Sequence, residues 1–457
     1  MTITQETKNN TIALLEDLQK QPIYHLSLAD KELFHSNFLA WLGINPNTKE
    51  YFIHIIEVLI GYKLDWSEAF IKDEKNENFK VEREFRNFDL CILKKEQKRK
   101  KDHWVPILVL ENKNKSIPYI KQLDDYWDTV LELYGYKKTN NITDEVKQTN
   151  KQDIQKNVTF ILLSLAKDFI DKESINKKQI WKIISYCELH DTMNDNDSKM
   201  LLARASDYEK NLINDYIKYI DNLHELATSL LPNNSNKMYF LHDNVTKELK
   251  EQRLHDLSEK LRYSKFAAEL KKKLENEGYT VLTNFQTGCA DANKGDVFVN
   301  NGYTSRGGGA GFFEVAVKIH EDFVLKIQVQ GEYYRHVIEW VAKCSSEKRS
   351  IKIDKEKFES LKNTAVNKRF FRGDYRSKAF WERTIFEEPI NIMPIKNSDR
   401  SKSTILWDCF NNFDDGFKYQ YVIIKKYDDK QNNIEYTAVI EAMIADVEDI
   451  KKIIDNF

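Results

Sequence analysis

The chain has 457 residues, 41% of them hydrophobic, with 70 Lys+Arg against 72 Asp+Glu and a formal net charge of -2. That length exceeds one ordinary core and predicts two or three domains. The balanced charge excludes a uniformly basic nucleic-acid-coating protein but not a local basic groove. Five cysteines, Cys91, Cys187, Cys289, Cys344 and Cys409, stand singly with no Cys-x-x-Cys pair. This argues against a structural zinc site and suits a reducing cytoplasm. The opening MTITQETKNN lacks an apolar core, and no apolar run is long enough to span a bilayer. A cytoplasmic protein without membrane contact is expected.

Residues 29–60 predict helix. Leu33, Phe34, Phe38, Trp41 and Leu42 recur at helical spacing, Asn45-Pro46-Asn47 interrupts them, and a second helix runs from Tyr51 to Ile60 and stops at Gly61. Residues 65–78 are charged and predict a loop. Residues 79–94 alternate, with Val81, Phe85 and Phe88 among charges, and predict a hairpin or two strands. Glu96 to Lys101 predicts an exposed turn. Val105 to Leu110 is a continuous apolar run that suits a strand buried on both faces. Pro118 suits the first turn of a helix reaching about Tyr134, and 137–157 a polar loop. Val158 to Leu165 and Ile180 to Tyr186 predict two more strands.

Residues 198–277 are charged and helical, interrupted at Pro232-Asn233-Asn234-Ser235-Asn236. Strands follow at 279–286, 311–319, 323–330, 418–426 and 434–442, and a helix closes the chain near 445–456. The expected domains are 1–195, an α/β domain; 196–277, a helical connector; and 278–457, a β-rich α+β domain with a sensing or binding role.

Asp89 lies in FDLCIL, and Glu111, Asn112 and Lys113 end VPILVLENK, 22 positions later. Two adjacent strands joined by a charged turn place both carboxylates at one sheet end. Glu111 and Lys113, two apart, share a strand face. Two hard carboxylates suit Mg²⁺, the Asn112 backbone carbonyl can add a ligand, and a lysine on that face can offset developing charge. Gln122, on the next helix, can hydrogen-bond the nucleophile or the scissile phosphate. Glu96-Gln97-Lys98, Glu248-Leu249-Lys250 and Glu269-Leu270-Lys271 share the tripeptide form but sit in a charged turn or on helices. Spacing alone leaves a structural ion pair at a sheet edge equally open.

Four blocks, Glu32 with HSNFLAWLGINPN (35–47), EREFRNFDLCIL (82–93), LVLENKNKS (108–116) and QLDDYW (122–127), resemble the PD-(D/E)XK nuclease superfamily, in particular its bacterial branch with an N-terminal helical lead. They cover about residues 30–190. The resemblance implies a restriction-endonuclease-like mixed sheet flanked by helices. It also implies Asp89, Glu111 and Lys113 as the catalytic core with Gln122 in support, Mg²⁺ or Mn²⁺ as cofactor, and a nucleic-acid substrate, with DNA expected. The chain departs from the family pattern in lacking a proline before Asp89. Glu32, Glu84 and Glu82 are further candidates for the metal site. The expected activity is an endonuclease with an antiviral defence role. A catalytically silent nucleic-acid- or partner-binding protein and an RNA-cleaving toxin remain open alternatives.

Other residues carry weaker signals. Lys115 is a candidate phosphate contact. In KRFFRGDYRSKAFWER (368–383), Arg369, Arg372 and Arg376 interleave with aromatics, a mixture that suits nucleic acid or an amphipathic surface. His35 on an apolar helix reads as a core or capping histidine. Gly307 to Gly311 lacks a following Gly-Lys-Ser/Thr and reads as a turn. Asp296, Glu314 and Lys318 read as ordinary strand charges. The third domain is the expected place for a homo-oligomeric or regulatory partner.

Overall fold

The computed structural model describes residues 2–21, 23–24, 31–98, 101–113, 120–136, 152, 154–169, 180–232, 238–282, 298–299, 312–321, 323–330, 333–340, 356, 386–387, 411–413, 416–424 and 434–455. The chain divides into two compact units, one of Asn9–Ser229 and one of Met1–Lys8 with Leu230–Phe457.

In the first unit, α1 (Thr2–Gln19), of which the part from Asn9 belongs here, precedes α2 (Lys31–Ile44) and α3 (Lys49–Ile60). Helix α3 ends where Gly61 takes a left-handed φ of 84° and its N–H caps Glu57 O. A short helix, α4 (Ser67–Lys72), occupies the stretch expected to be a loop. Phe70 is its reason: it is fully buried, edge-on to Phe79 at 5.7 Å. Strands β1 (Phe79–Phe85), β2 (Phe88–Lys98) and β3 (Lys101–Lys113) follow. After α5 (Ile120–Leu133) come β4 (Thr159–Ser164) and β5 (Trp181–Ser185). The unit closes with α6 (Tyr186–Asn194), α7 (Asn196–Met200) and α8 (Asp207–Leu230), whose last residue falls to the second unit.

The five-stranded sheet has the order β1-β2-β3-β4-β5. β1–β2 and β2–β3 are antiparallel, and β3–β4 and β4–β5 are parallel. With helices on its faces, this is the expected restriction-endonuclease-like α/β sheet. The charged stretch expected to be a turn is mostly strand, since β2 and β3 pair out to Lys98↔Lys101. Tyr186, expected in a strand, starts helix α6. A reciprocal capping box between Ser185 and Glu188 explains that boundary.

Two local features fix which side chains face α5. Arg86 and Asn87, with φ of 54° and 70°, form a two-residue hairpin between paired Phe85 and Phe88. In β3, Leu108 pairs with Ile92 and Pro106 with Leu93, so Ile107 is an extra residue. That bulge resets the alternation, and Val109 joins Cys91 and Leu93 on the face that carries Leu123, Trp127 and Val130 of α5.

The second unit contains α9 (Asp243–Glu251) and α10 (His255–Asn276), then β6 (Thr280–Leu282), β7 (Phe298–Val299), β8 (Phe312–Lys318), β9 (Phe323–Gln330), β10 (Tyr333–Trp340), β11 (Phe386–Glu387), β12 (Asn411–Phe413) and β13 (Gly416–Ile424). Helix α11 (Tyr436–Asp455) ends it. These strands form one antiparallel sheet, ordered β11-β13-β10-β9-β8-β6, with β12 on β13 and β7 on β8. The sequence expectation missed β10. The strand expected at 434–442 is instead the start of α11, because Tyr436, Val439, Ile440, Met443, Val447, Ile450 and Ile454 form one buried helical stripe. This stripe and α10 cover Phe313, Val315, Leu325, Ile327 and Tyr334 on one sheet face. Glu314, expected to be an ordinary strand charge, is 3% exposed and pairs with Lys326 at 3.5 Å. Lys318 is exposed, and Asp296 lies outside the described residues.

Leu162, at the centre of β4, is fully buried. Leu162→Ala is expected to destabilise the protein by roughly 2–5 kcal/mol in urea titration, whereas Tyr208→Ala, at a 75% exposed position, shifts it by less than about 0.5 kcal/mol.

Candidate active site

The site forms where the C-terminal end of β3 meets the start of β2. Leu90 pairs with Leu110, so Asp89 and Glu111 stand opposite each other one position further along. The Asn112 N–H donates to Asp89 Oδ2 at 2.7 Å and ties the two strands at the site itself. Glu111 and Lys113 share the α5 face, and Lys113 Nζ lies 2.5 Å from Glu111 Oε1. Helix α5 brings two more groups to that oxygen. Gln122 Nε2 donates to Glu111 Oε1 at 2.7 Å, and the Tyr126 hydroxyl donates to it at 3.3 Å. Gln122 Nε2 also reaches the Tyr126 hydroxyl at 2.9 Å.

Glu111 is 1% exposed. Burial pushes its carboxyl up to about 7, Lys113 opposes that rise, and Asp89 adds to it. Burial followed by Glu111 also raises Tyr126, which stays a hydroxyl and a donor. While three groups converge on Oε1, Glu111 Oε2 is buried and has no hydrogen-bond partner among the described residues. A buried carboxylate oxygen in that position is costly unless a further group meets it.

The residues therefore suit a hard divalent cation. Asp89 and Glu111 offer carboxylate oxygens, one of them unpartnered, at a strand end where backbone carbonyl and water can complete the shell. Among the described residues no group of three or more His, Cys, Asp or Glu side chains could hold a metal ion. The set fits an oxygen-seeking divalent cation with several waters better than a closed zinc site.

The other sequence candidates fall as follows. Asn112 turns its side chain to the opposite face, where its Oδ1 accepts from the Tyr186 hydroxyl at 2.5 Å. Glu82 pairs in register with Cys91, two positions from Asp89, so it shares the site's sheet face, and it lies 3.9 Å from Lys80. Glu84 has a left-handed φ of 53° and is exposed; no described contact joins it to Asp89, Glu111 or Lys113. Glu32 lies in the first turn of α2, and its side chain lies outside the described residues, as do Lys115, Arg369, Arg372, Arg376 and Gly307 to Gly311. His35 is fully buried, stacks on Tyr219 at 5.6 Å and meets the Tyr216 hydroxyl at 2.9 Å. Burial pushes it down to about 3, so it is a neutral core residue.

Two residues escaped the sequence reading. Tyr126 follows Gln122 by four, the helical neighbour spacing that would have found it. Tyr186 supports Asn112 from 74 positions away in sequence, and no local pattern points to it.

The raised Glu111 pKa has a defined sign. The folded chain holds this proton more tightly than the unfolded chain, so the stabilisation is full below the ordinary carboxylate range and is lost as pH rises to about 7. In chelator, Glu111→Gln is expected to gain stability relative to wild type between pH 4.5 and 8, by up to roughly 3 kcal/mol in urea titrations across pH. A difference that stays constant with pH would contradict the burial argument.

Comparison with known proteins bears on the same region. No curated protein and no solved structure matches the chain. Residues 22–218 match the family model described as the PD-(D/E)XK nuclease superfamily, and the match spans the sheet, Asp89, Glu111, Lys113 and Gln122. On that match and this mixed sheet, residues 22–218 are similar to the PD-(D/E)XK nuclease superfamily.

Proposed function

We propose that the protein is a metal-dependent endonuclease that hydrolyses phosphodiester bonds of DNA, with Mg²⁺ or Mn²⁺ held by Asp89, Glu111 and the Asn112 backbone carbonyl. The observation that carries this reading is the buried, unpartnered Glu111 Oε2 beside Asp89 and Lys113. A bound divalent cation would supply Lewis-acid polarisation of the phosphoryl group and a more acidic water. The protein's own part is positioning. The Asn112 N–H fixes Asp89, and Gln122 and Tyr126 orient Glu111 through Oε1. Lys113, its side chain 11% exposed, stands where its Nζ can offset charge on the phosphate or steer a water. Lys115, Arg369, Arg372 and Arg376 are proposed phosphate contacts beyond this core, and Glu32 and Glu84 additional metal neighbours.

Beyond chemistry, we assign the protein a cytoplasmic defence role against foreign DNA, with the second unit as sensor or partner-binding part. Support for the compartment comes from the dispersed cysteines, two of which, Cys91 and Cys187, are free thiols. No helix among the described residues is long and apolar enough to cross a membrane. The defence role rests on analogy with attached-domain nucleases.

Supercoiled plasmid, linear DNA and RNA are the substrates to compare, each with Mg²⁺, Mn²⁺ or EDTA. Nicking or linearisation of plasmid that EDTA stops is expected. Asp89→Ala and Lys113→Ala should each lower the rate by at least about 100-fold. Gln122→Ala should lower it less, about tenfold. Cleavage confined to RNA would replace the substrate assignment, and activity unchanged in both core variants would remove the site assignment.

A further inference from the structure

The second unit holds a cavity that the nuclease reading does not use. It measures about 260 Å³ and lies between α9 and α10, beside the segment Tyr239-Phe240-Leu241. Its buried wall is cationic. Arg262 is 8% exposed and is locked by the carbonyls of Leu230, Met238 and Tyr239 at 2.5–2.8 Å. These bonds use Nη1 and Nη2, and none involves Nε. No carboxylate is paired with this guanidinium among the described residues, and burial pushes it down to about 10. A desolvated cation held only by neutral carbonyls favours an anion in the adjoining space.

Two further features narrow the ligand. Lys250, exposed on α9, adds a second cation to the lining. Phe240 and Tyr263 supply aromatic surface, and Glu259, 3.8 Å from His255, supplies an acceptor. The set asks for an anion, a flat ring and an N–H donor within one small molecule. The volume falls just below the usual range for small-molecule sites, which favours one nucleotide unit over an oligomer.

We propose that this cavity binds a free nucleoside monophosphate, with its phosphate on Arg262 and Lys250, its base on the rings of Tyr263 and Phe240, and a base N–H toward Glu259. Recognition is by charge and stacking, so the identity of the base matters less than its presence.

Isothermal titration of the full-length protein in EDTA tests this. The probes are AMP, GMP, CMP and UMP, inorganic phosphate, adenosine, and a 5′-phosphorylated trinucleotide. Saturable binding of at least one monophosphate is expected, with phosphate and adenosine each at least about tenfold weaker. Lys250→Glu, at an exposed position, should weaken binding at least about tenfold with an unchanged melting temperature. Lys113→Ala should bind as wild type does, which separates this cavity from the carboxylate site. Binding absent for every monophosphate at millimolar concentration overturns the proposal. So does binding that Lys113→Ala abolishes while Lys250→Glu leaves it intact. Tighter binding of the trinucleotide would overturn the choice of a free nucleotide.

Discussion

A carboxylate kept out of water at the end of an apolar strand sets the terms for the first unit. Leu108, Val109 and Leu110 lead into Glu111 without a break in burial, so the sheet delivers a charged side chain to a dry place. Desolvation there opposes ionisation strongly. Among the described residues the surroundings answer on one side only: Lys113, Gln122 and Tyr126 all converge on Oε1. The asymmetry separates this arrangement from a closed structural ion pair, in which both oxygens would be met. Asp89 is arranged differently, half-exposed and tied through Oδ2 to a backbone N–H. Two acids a strand apart thus sit in unlike environments, the usual condition for dividing their roles.

Support for this arrangement comes from both faces of the sheet. On one side the bulge at Ile107 aligns Val109 and Glu111 with α5. On the other, Asn112 is held by Tyr186, whose ring meets His35 edge-on at 4.9 Å, and His35 in turn bonds Tyr216. Alternation along three consecutive residues, Glu111, Asn112 and Lys113, therefore divides chemistry from anchoring. The buried His35–Tyr216 contact lies far from solvent, so the anchoring is insensitive to pH near neutrality.

Much of this was legible in the sequence, for identifiable reasons. Asp89, Glu111 and Lys113 were found because strand alternation and a short hairpin leave few ways to arrange FDLCIL and VPILVLENK. Gln122 was found through the block QLDDYW, while Tyr126 within it was passed over although helical spacing placed it beside Gln122. The unmatched Glu111 Oε2 and the Tyr186 contact depend on packing between distant segments, and no local pattern encodes them. In the second unit the local signals misled. Ile434 and Tyr436 sit in a short apolar stretch that fits a strand as well as a helix, and only the stripe continuing to Ile454 decides for α11. Strand β10 was hidden because Arg335, His336 and Glu339 break its apolar run. His336 is nevertheless fully buried, bonded to Tyr334 at 2.7 Å, and Tyr334 bonds Asp446 at 2.9 Å. Charges that sequence reasoning assigns to solvent are here inside the sheet's packing, as Glu314 and Lys326 are.

The strand order of the first sheet follows chain order without exception among the described strands. Every pairing is made by strands adjacent in sequence, so the sheet can grow by addition at one edge. β1, β2 and β3 pair through tight hairpins, so the contacts that set Asp89 opposite Glu111 are local in sequence. Parallel pairing of β3 with β4 must wait for α5 to be made and to cross the sheet. The pairing of the two acids thus rests on local contacts, whereas the groups that enclose Glu111 come from a later segment, α5.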